Sequence, residues 1–74
     1  MPFDGHYDRN ADIAWIVLPG FDGEHAVGRE EAWGLREVDE RTGDLVALEF
    51  WQASKQLPPA LLEALPTPST HQPA

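Results

Sequence analysis

The chain has 74 residues, no cysteine, and thirteen acidic against five basic side chains, for a net charge of −8. That length fits one small domain at most, and the missing cysteines exclude disulfides, thiolate metal sites and thiol catalysis. The acidic balance counts against nucleic acid and anionic membranes as partners, because their phosphates call for Lys and Arg.

A chain this short buries only roughly 60% of the surface it exposes when unfolded. Without disulfides, an oligomer or a partner becomes the favoured reinforcement. No apolar stretch approaches the ~20 residues of a membrane span. Met1-Pro2-Phe3-Asp4 lacks a basic segment followed by an apolar one, so no signal peptide is expected and the expected location is the cytoplasm.

Residues 1–11 are polar and turn-rich, with Pro2, Gly5 and Asn10. Asp12 to Leu18 is short, rich in β-branched and aromatic residues, and stopped by Pro19-Gly20. This predicts a strand over 12–18. Alternation puts Ala14, Ile16 and Leu18 on one side and Ile13, Trp15 and Val17 on the other. Both sides are apolar, whereas a half-buried antiparallel strand shows one polar side. Either the monomer covers both sides or one side meets another chain.

Residues 19–31 read as a glycine-containing linker, with Ala26-Val27 suited to the start of an extended piece. A second strand is predicted over 31–39, with Gly34 marking a bend or bulge. Regular pairing puts Trp33, Leu35 and Glu37 on one side, and a bulge moves Trp33 to the other. Asp39-Glu40-Arg41-Thr42-Gly43-Asp44 reads as a hairpin turn with Gly43 in the left-handed position. The third strand is predicted over 45–52, with Val46, Leu48 and Phe50 opposite Leu45, Ala47, Glu49 and Trp51. The second and third strands therefore form a hairpin. Pro58-Pro59 suits the first turn of a helix over 58–65, with Leu57, Leu61 and Leu65 as its apolar stripe. Residues 66–74 hold three prolines and no apolar anchor, and read as a disordered tail outside a domain spanning 1–65.

Three segments carry a family resemblance. Tyr7-Asp8-Arg9-Asn10-Ala11-Asp12-Ile13-Ala14-Trp15-Ile16 resembles the "YDxxADALYI" opening of the bacterial family called domain of unknown function 2283. Asp39 to Gly43 resembles that family's "DExxG" turn, and Val46 to Lys55 its "VGIEILDASK" ending. Order and spacing agree over roughly residues 6–57. The resemblance implies a small antiparallel sheet followed by a helix. Through members thought to be encoded beside small toxins, it also implies an antitoxin-like role. Val17, Ala47, Trp33 and Trp51 depart from the pattern and make this surface larger and more aromatic.

Candidate chemistry is sparse. Asp4, His6, Asp8 and Asp12 crowd the first segment and are of metal-ligating type, but their spacing fixes no geometry. Asp8 and Asn10 suit a tight loop bonded to its own backbone, and Asp12 suits the pinning of the strand start. His25 beside Glu24 has the composition of a general base without a shown geometry. Ser54 reads as a cap for the following turn and Lys55 as a solvated amine. No base, nucleophile and oxyanion donor assemble together, so no catalytic residue, metal site or cofactor is expected.

Trp15, Trp33 and Trp51 come one from each predicted strand. They are core, or they form a face for self-association, a partner or a flat ligand. The expected fold is α+β: a three-stranded antiparallel meander with a C-terminal helix on one face. The expected core is Ala14, Ile16, Leu18, Leu35, Val46, Leu48, Phe50, Leu57, Leu61 and Leu65. Ile13, Trp15, Val17, Trp33 and Trp51 are the candidate partner-binding residues. The expected role is a non-enzymatic interaction module that forms a homodimer or docks a basic protein, with an acidic rim of Glu30, Glu31, Glu37, Asp39 and Glu40. The alternative is a small-molecule binder or small enzyme with its site between subunits, reached by His6, His25 or Glu49.

Overall fold

The computed structural model describes residues 4–67. It is an α+β fold with strands β1 (Asp4–Asp8), β2 (Ile13–Val17), β3 (Ala26–Glu31), β4 (Gly34–Asp39) and β5 (Leu45–Trp51). A 3-10 turn over Ala53–Lys55 and a helix α1 (Pro59–Ala64) follow. The five strands form one sheet in the order β1-β2-β5-β4-β3, and every neighbouring pair is antiparallel. Residues 68–74, most of the expected tail, lie outside the described residues.

The sheet has five strands where the sequence predicts three. The two additional strands are its edges. β1 reads Asp-Gly-His-Tyr-Asp, and only Gly5 and Tyr7 face the helix, so no apolar alternation marks it. β3 begins with Ala26-Val27 and runs on into Arg29-Glu30-Glu31, the charged ending typical of a protected edge. The three predicted strands are not a meander either. β4 and β5 do form the expected hairpin, but β2 pairs with β5 and not with β4. The true meander is β3-β4-β5, and the β1-β2 hairpin adds to its free side.

Gly34 opens β4 and does not bulge it. Its φ is +152°, and a Cβ there would stand 1.8 Å from the Glu49 carbonyl oxygen, so only glycine admits this approach of β4 to β5. The irregularity of register lies later, between Glu37 and Val38. Gly43 has φ +80°, the left-handed turn residue expected. Its N–H donates to the Asp39 carbonyl at 2.7 Å.

Gly5, Tyr7, Ala14, Ile16, Leu48 and Phe50 share one face of the sheet, and the helix packs on the part of it around Tyr7, Ala14 and Phe50. Tyr7, Ala14, Ala53, Leu62 and Leu65 form the core there, with Phe50 and Leu57 packed against it. Leu62, not Leu61, is the helix residue buried with Leu65. The helix is one and a half turns long and Leu65 is already its C-cap, so the stripe follows an i, i+3 step off the helix end. Leu35 leaves the expected helix-side core: it pairs with Glu49 on the opposite face, alongside Trp15. Leu18, Leu48 and Phe50 are half-buried, whereas Ile16, Val38, Val46 and Ala47 are buried. The Pro66 carbonyl accepts the Tyr7 N–H at 2.8 Å, which ties the chain after the helix to the β1 edge.

Candidate functional site

The register builds the second face row by row. His6, Trp15, Glu49, Leu35 and Glu30 stand side by side across all five strands. Asp4, Val17, Ala47, Glu37 and Gly28 form the row on one side, and Asp8, Ile13 and Trp51 the row on the other. Ile13, Trp15, Val17 and Trp51 therefore share this face. Trp33 does not join them. It belongs to the two-residue turn between β3 and β4 and lies against Phe50, ring centroids 5.1 Å apart, toward the helix face.

Two glutamates hold the indoles. The Trp15 Nε1–H donates to Glu37 Oε2 at 3.1 Å, and the Trp51 Nε1–H donates to Glu49 Oε2 at 2.8 Å. Trp15 reaches Glu37 by crossing the row of Ala47, which is fully buried. The His6 ring meets Trp15 edge-on at 5.3 Å, and Phe21, from the loop after β2, meets it edge-on at 5.9 Å. Phe21 supplies part of the cover that two apolar strand sides demand. The tryptophans are half-buried, and the partly covered face keeps indole surface in contact with solvent.

This face carries no Lys or Arg among its strand residues. Arg9 lies over the Tyr7 ring, and Arg29 and Arg36 are paired on the helix face. Arg41 belongs to the β4-β5 turn and Lys55 to the 3-10 turn. The expected acidic rim is only partly here. Glu30 and Glu37 lie on the face, but Glu31 pairs with Arg36 at 3.2 Å on the other side. Asp39 is buried and bound by Arg41 through Nε and Nη2, at 3.1 and 2.7 Å.

Among the described residues, Asp4, His6, Asp8 and Asp12 are not drawn into one ligand group, and Asp8 and Asp12 bond to loop and turn groups instead. Asp8 accepts the Asn10 and Ala11 N–H groups in the β1-β2 turn. Asp12, in left-handed backbone at φ 58°, turns toward the C-terminal segment. Its carboxylate accepts the Ser54 N–H at 2.9 Å, the Ser54 hydroxyl at 2.7 Å and the Tyr7 hydroxyl at 2.7 Å. Its carbonyl takes the Ala53 N–H. The N-cap position of the 3-10 turn is Gln52, which makes no side-chain cap bond, and Asp12 instead accepts the turn's Ala53 and Ser54 N–H groups from the β1-β2 loop, the capping role expected of Ser54. The Ser54 and Tyr7 bonds hold its carboxyl below the usual carboxylate range, and the same bond raises the Tyr7 phenol above 10.0. A carboxylate so stabilised is a poor base, so Ser54 is fixed rather than activated as a nucleophile.

Among the described residues, Asp22, Glu24 and His25 bring their ligand-type atoms within 4.8 Å of one another. Here His25 binds Asp22 and not Glu24: His25 Nδ1 lies 2.9 Å from Asp22 Oδ2. The Arg41 guanidinium stands 3.5 Å from the same oxygen. That positive charge occupies the electrostatic position a cation would need.

A groove of about 420 Å³ opens at one end of the sheet, lined by Ala32, Trp33, Trp51, Gln52 and Gln56. The Gln56 side-chain NH₂ ties its walls together by donating to the Trp33 and Trp51 carbonyls. No family model, no curated protein and no solved structure matches this chain. Sequence reasoning missed Phe21, the indole-holding role of Glu37 and Glu49, and the Asp12–Ser54 contact. Only the last had a signal in the sequence: the two ends of the family-like pattern, Tyr7 to Asp12 and Ala53 to Lys55, are the segments that meet. No helix among the described residues is long and apolar enough to cross a membrane.

Proposed function

We propose that this chain is a non-enzymatic protein-interaction module that docks a basic partner on the sheet face opposite the helix. The observation that carries the reading is the composition of that face. Ile13, Trp15, Val17, Leu35 and Trp51 stand there among Asp4, Asp8, Glu30, Glu37 and Glu49, with His6 beside Trp15 and no Lys or Arg among the described strand residues of the face. Indole rings supply large contact area at low entropic cost, and the carboxylates steer a cationic protein toward them. The molecule measures 33 × 28 × 24 Å, so a sheet face of this footprint matches one side of a standard interface, about 800 Å². The family resemblance suggests the most concrete form, an antitoxin-like partner of a small basic toxin.

Affinity isolation with the tagged chain, from cells of its own source at low and at high salt, tests the reading. A stoichiometric basic protein is expected at low salt and is lost with Glu30→Lys/Glu49→Lys. Recovery of the chain alone, or of a partner indifferent to both changes, overturns the proposal. The groove between Trp33 and Trp51 favours a second reading, a flat uncharged ligand stacked on indole. Quenching of tryptophan emission by such a ligand, retained in Glu30→Lys/Glu49→Lys, supports that alternative.

A further inference from the structure

We infer that the docking face is built to seat an arginine side chain of the partner, laid on Trp15 between Glu37 and Glu49; this rests on the reading of that face as a protein-docking surface. The geometry supplies the two things a guanidinium needs. The first is an aromatic surface of fixed orientation. Trp15 is clamped by His6 and Phe21, both edge-on, and by its N–H bond to Glu37. Trp15 is half-buried, so part of the held indole stays open to solvent for a ligand to lie on.

The second is a pair of uncompensated carboxylates. Glu37 pairs with Ala47, and Leu35 with Glu49, so the two glutamates are diagonal neighbours on β4 and β5. The Cα atoms of such neighbours stand about 7–8 Å apart, which lets one guanidinium placed between the two side chains offer N–H donors to both. Each glutamate spends Oε2 on an indole, and the Oε1 atoms have no hydrogen-bond or ion-pair partner among the described residues. The salt bridges of the described residues all lie elsewhere, on Asp22, Glu31 and Asp39. Arginine suits this arrangement better than lysine. Its planar fork addresses two carboxylates at once, stacks on indole and is less tightly hydrated than an ammonium.

Titration with capped arginine, capped lysine and capped citrulline, followed by the three indole N–H resonances, tests the inference. Arginine is expected to move the Trp15 and Trp51 signals saturably and leave Trp33 in place. Citrulline, which keeps the shape without the charge, is expected to move none. In Glu49→Gln the arginine affinity should fall about tenfold or more, the weight of a charge-assisted bond. An unchanged Trp33 resonance shows that this variant is folded. Equal responses to arginine and lysine, a response to citrulline, or a shift confined to Trp33 would each overturn the inference. Its failure is separable from that of the parent reading. A basic protein lost with Glu30→Lys/Glu49→Lys, alongside no arginine preference, sinks the anchor and leaves the docking face standing.

Discussion

Tyr7 is the chain's single tyrosine, so its ionisation can be read without assignment. Its hydroxyl donates to a carboxylate that also carries charge, and both effects oppose loss of the proton. Tyrosinate absorbance should therefore rise with a midpoint above 10.0 in the folded protein. Asp12→Asn keeps the left-handed backbone comfortable, because asparagine tolerates that region, but removes the charge. The midpoint in that variant should fall back toward 10.0. A native protein titrating at the ordinary tyrosine value would show that the Tyr7–Asp12 bond is absent in solution. Glycine gives a second prediction at this scale. Gly34→Ala meets the Glu49 carbonyl and strained backbone together, whereas Gly43→Ala meets open space at φ +80°. Gly43→Ala should cost about 1–2 kcal/mol for the backbone alone, and Gly34→Ala distinctly more. Urea unfolding midpoints of the two variants decide the order.

Among the elements, the short helix is the least self-sufficient, since six residues cannot hold a helix in water without packing. Its anchor is Leu62, 5% exposed against Tyr7, Ala14 and Ala53. Leu62→Ala should cost about 2–4 kcal/mol, while Leu61→Ala, at a half-buried site, should cost clearly less; denaturant titration compares them. An equal cost would mean that the stripe through Leu61 faces the core after all. The difference shows where the sequence was legible. β2, β4, β5 and the helix announce themselves through β-branched runs, Gly43 and the Pro58-Pro59 start. The edges β1 and β3 do not, because a strand paired on one side only and turned to water needs few apolar residues. Helix phase was also hidden: a leucine every four residues permits two stripes, and the one used is fixed by the packing of Leu62 and Leu65 with Tyr7, Ala14 and Ala53. On the candidate face, the alternation of Ile13, Trp15 and Val17 was readable. The glutamates that hold the indoles were not, because their partners come from other strands.

For the molecule as a whole, acidity should unfold the protein from several places at once. Asp12, Asp22 and Asp39 are held below the usual carboxylate range by bonds from Ser54, His25 and Arg41 respectively. The unfolded chain therefore takes up protons first as pH falls, so the stability these groups contribute is present above about 3.8 and drains away below it. Asp39, with two side-chain bonds from Arg41, should surrender its share last. Thermal midpoints across this range should fall steeply for the parent and less steeply for Asp39→Asn, which starts lower at neutral pH. An acid limb of the same slope in both would remove Asp39 from the account. The strand order adds a temporal consequence. β5 is synthesised last and stands in the middle. A nascent chain ending at Asp44 holds two separate ribbons, each of marginal stability. Leu45–Trp51 joins them and, a few residues later, Ser54 latches onto Asp12. A translation product cut short before that point has no half-built domain to survive as, and is left to the proteases that clear unfolded chains.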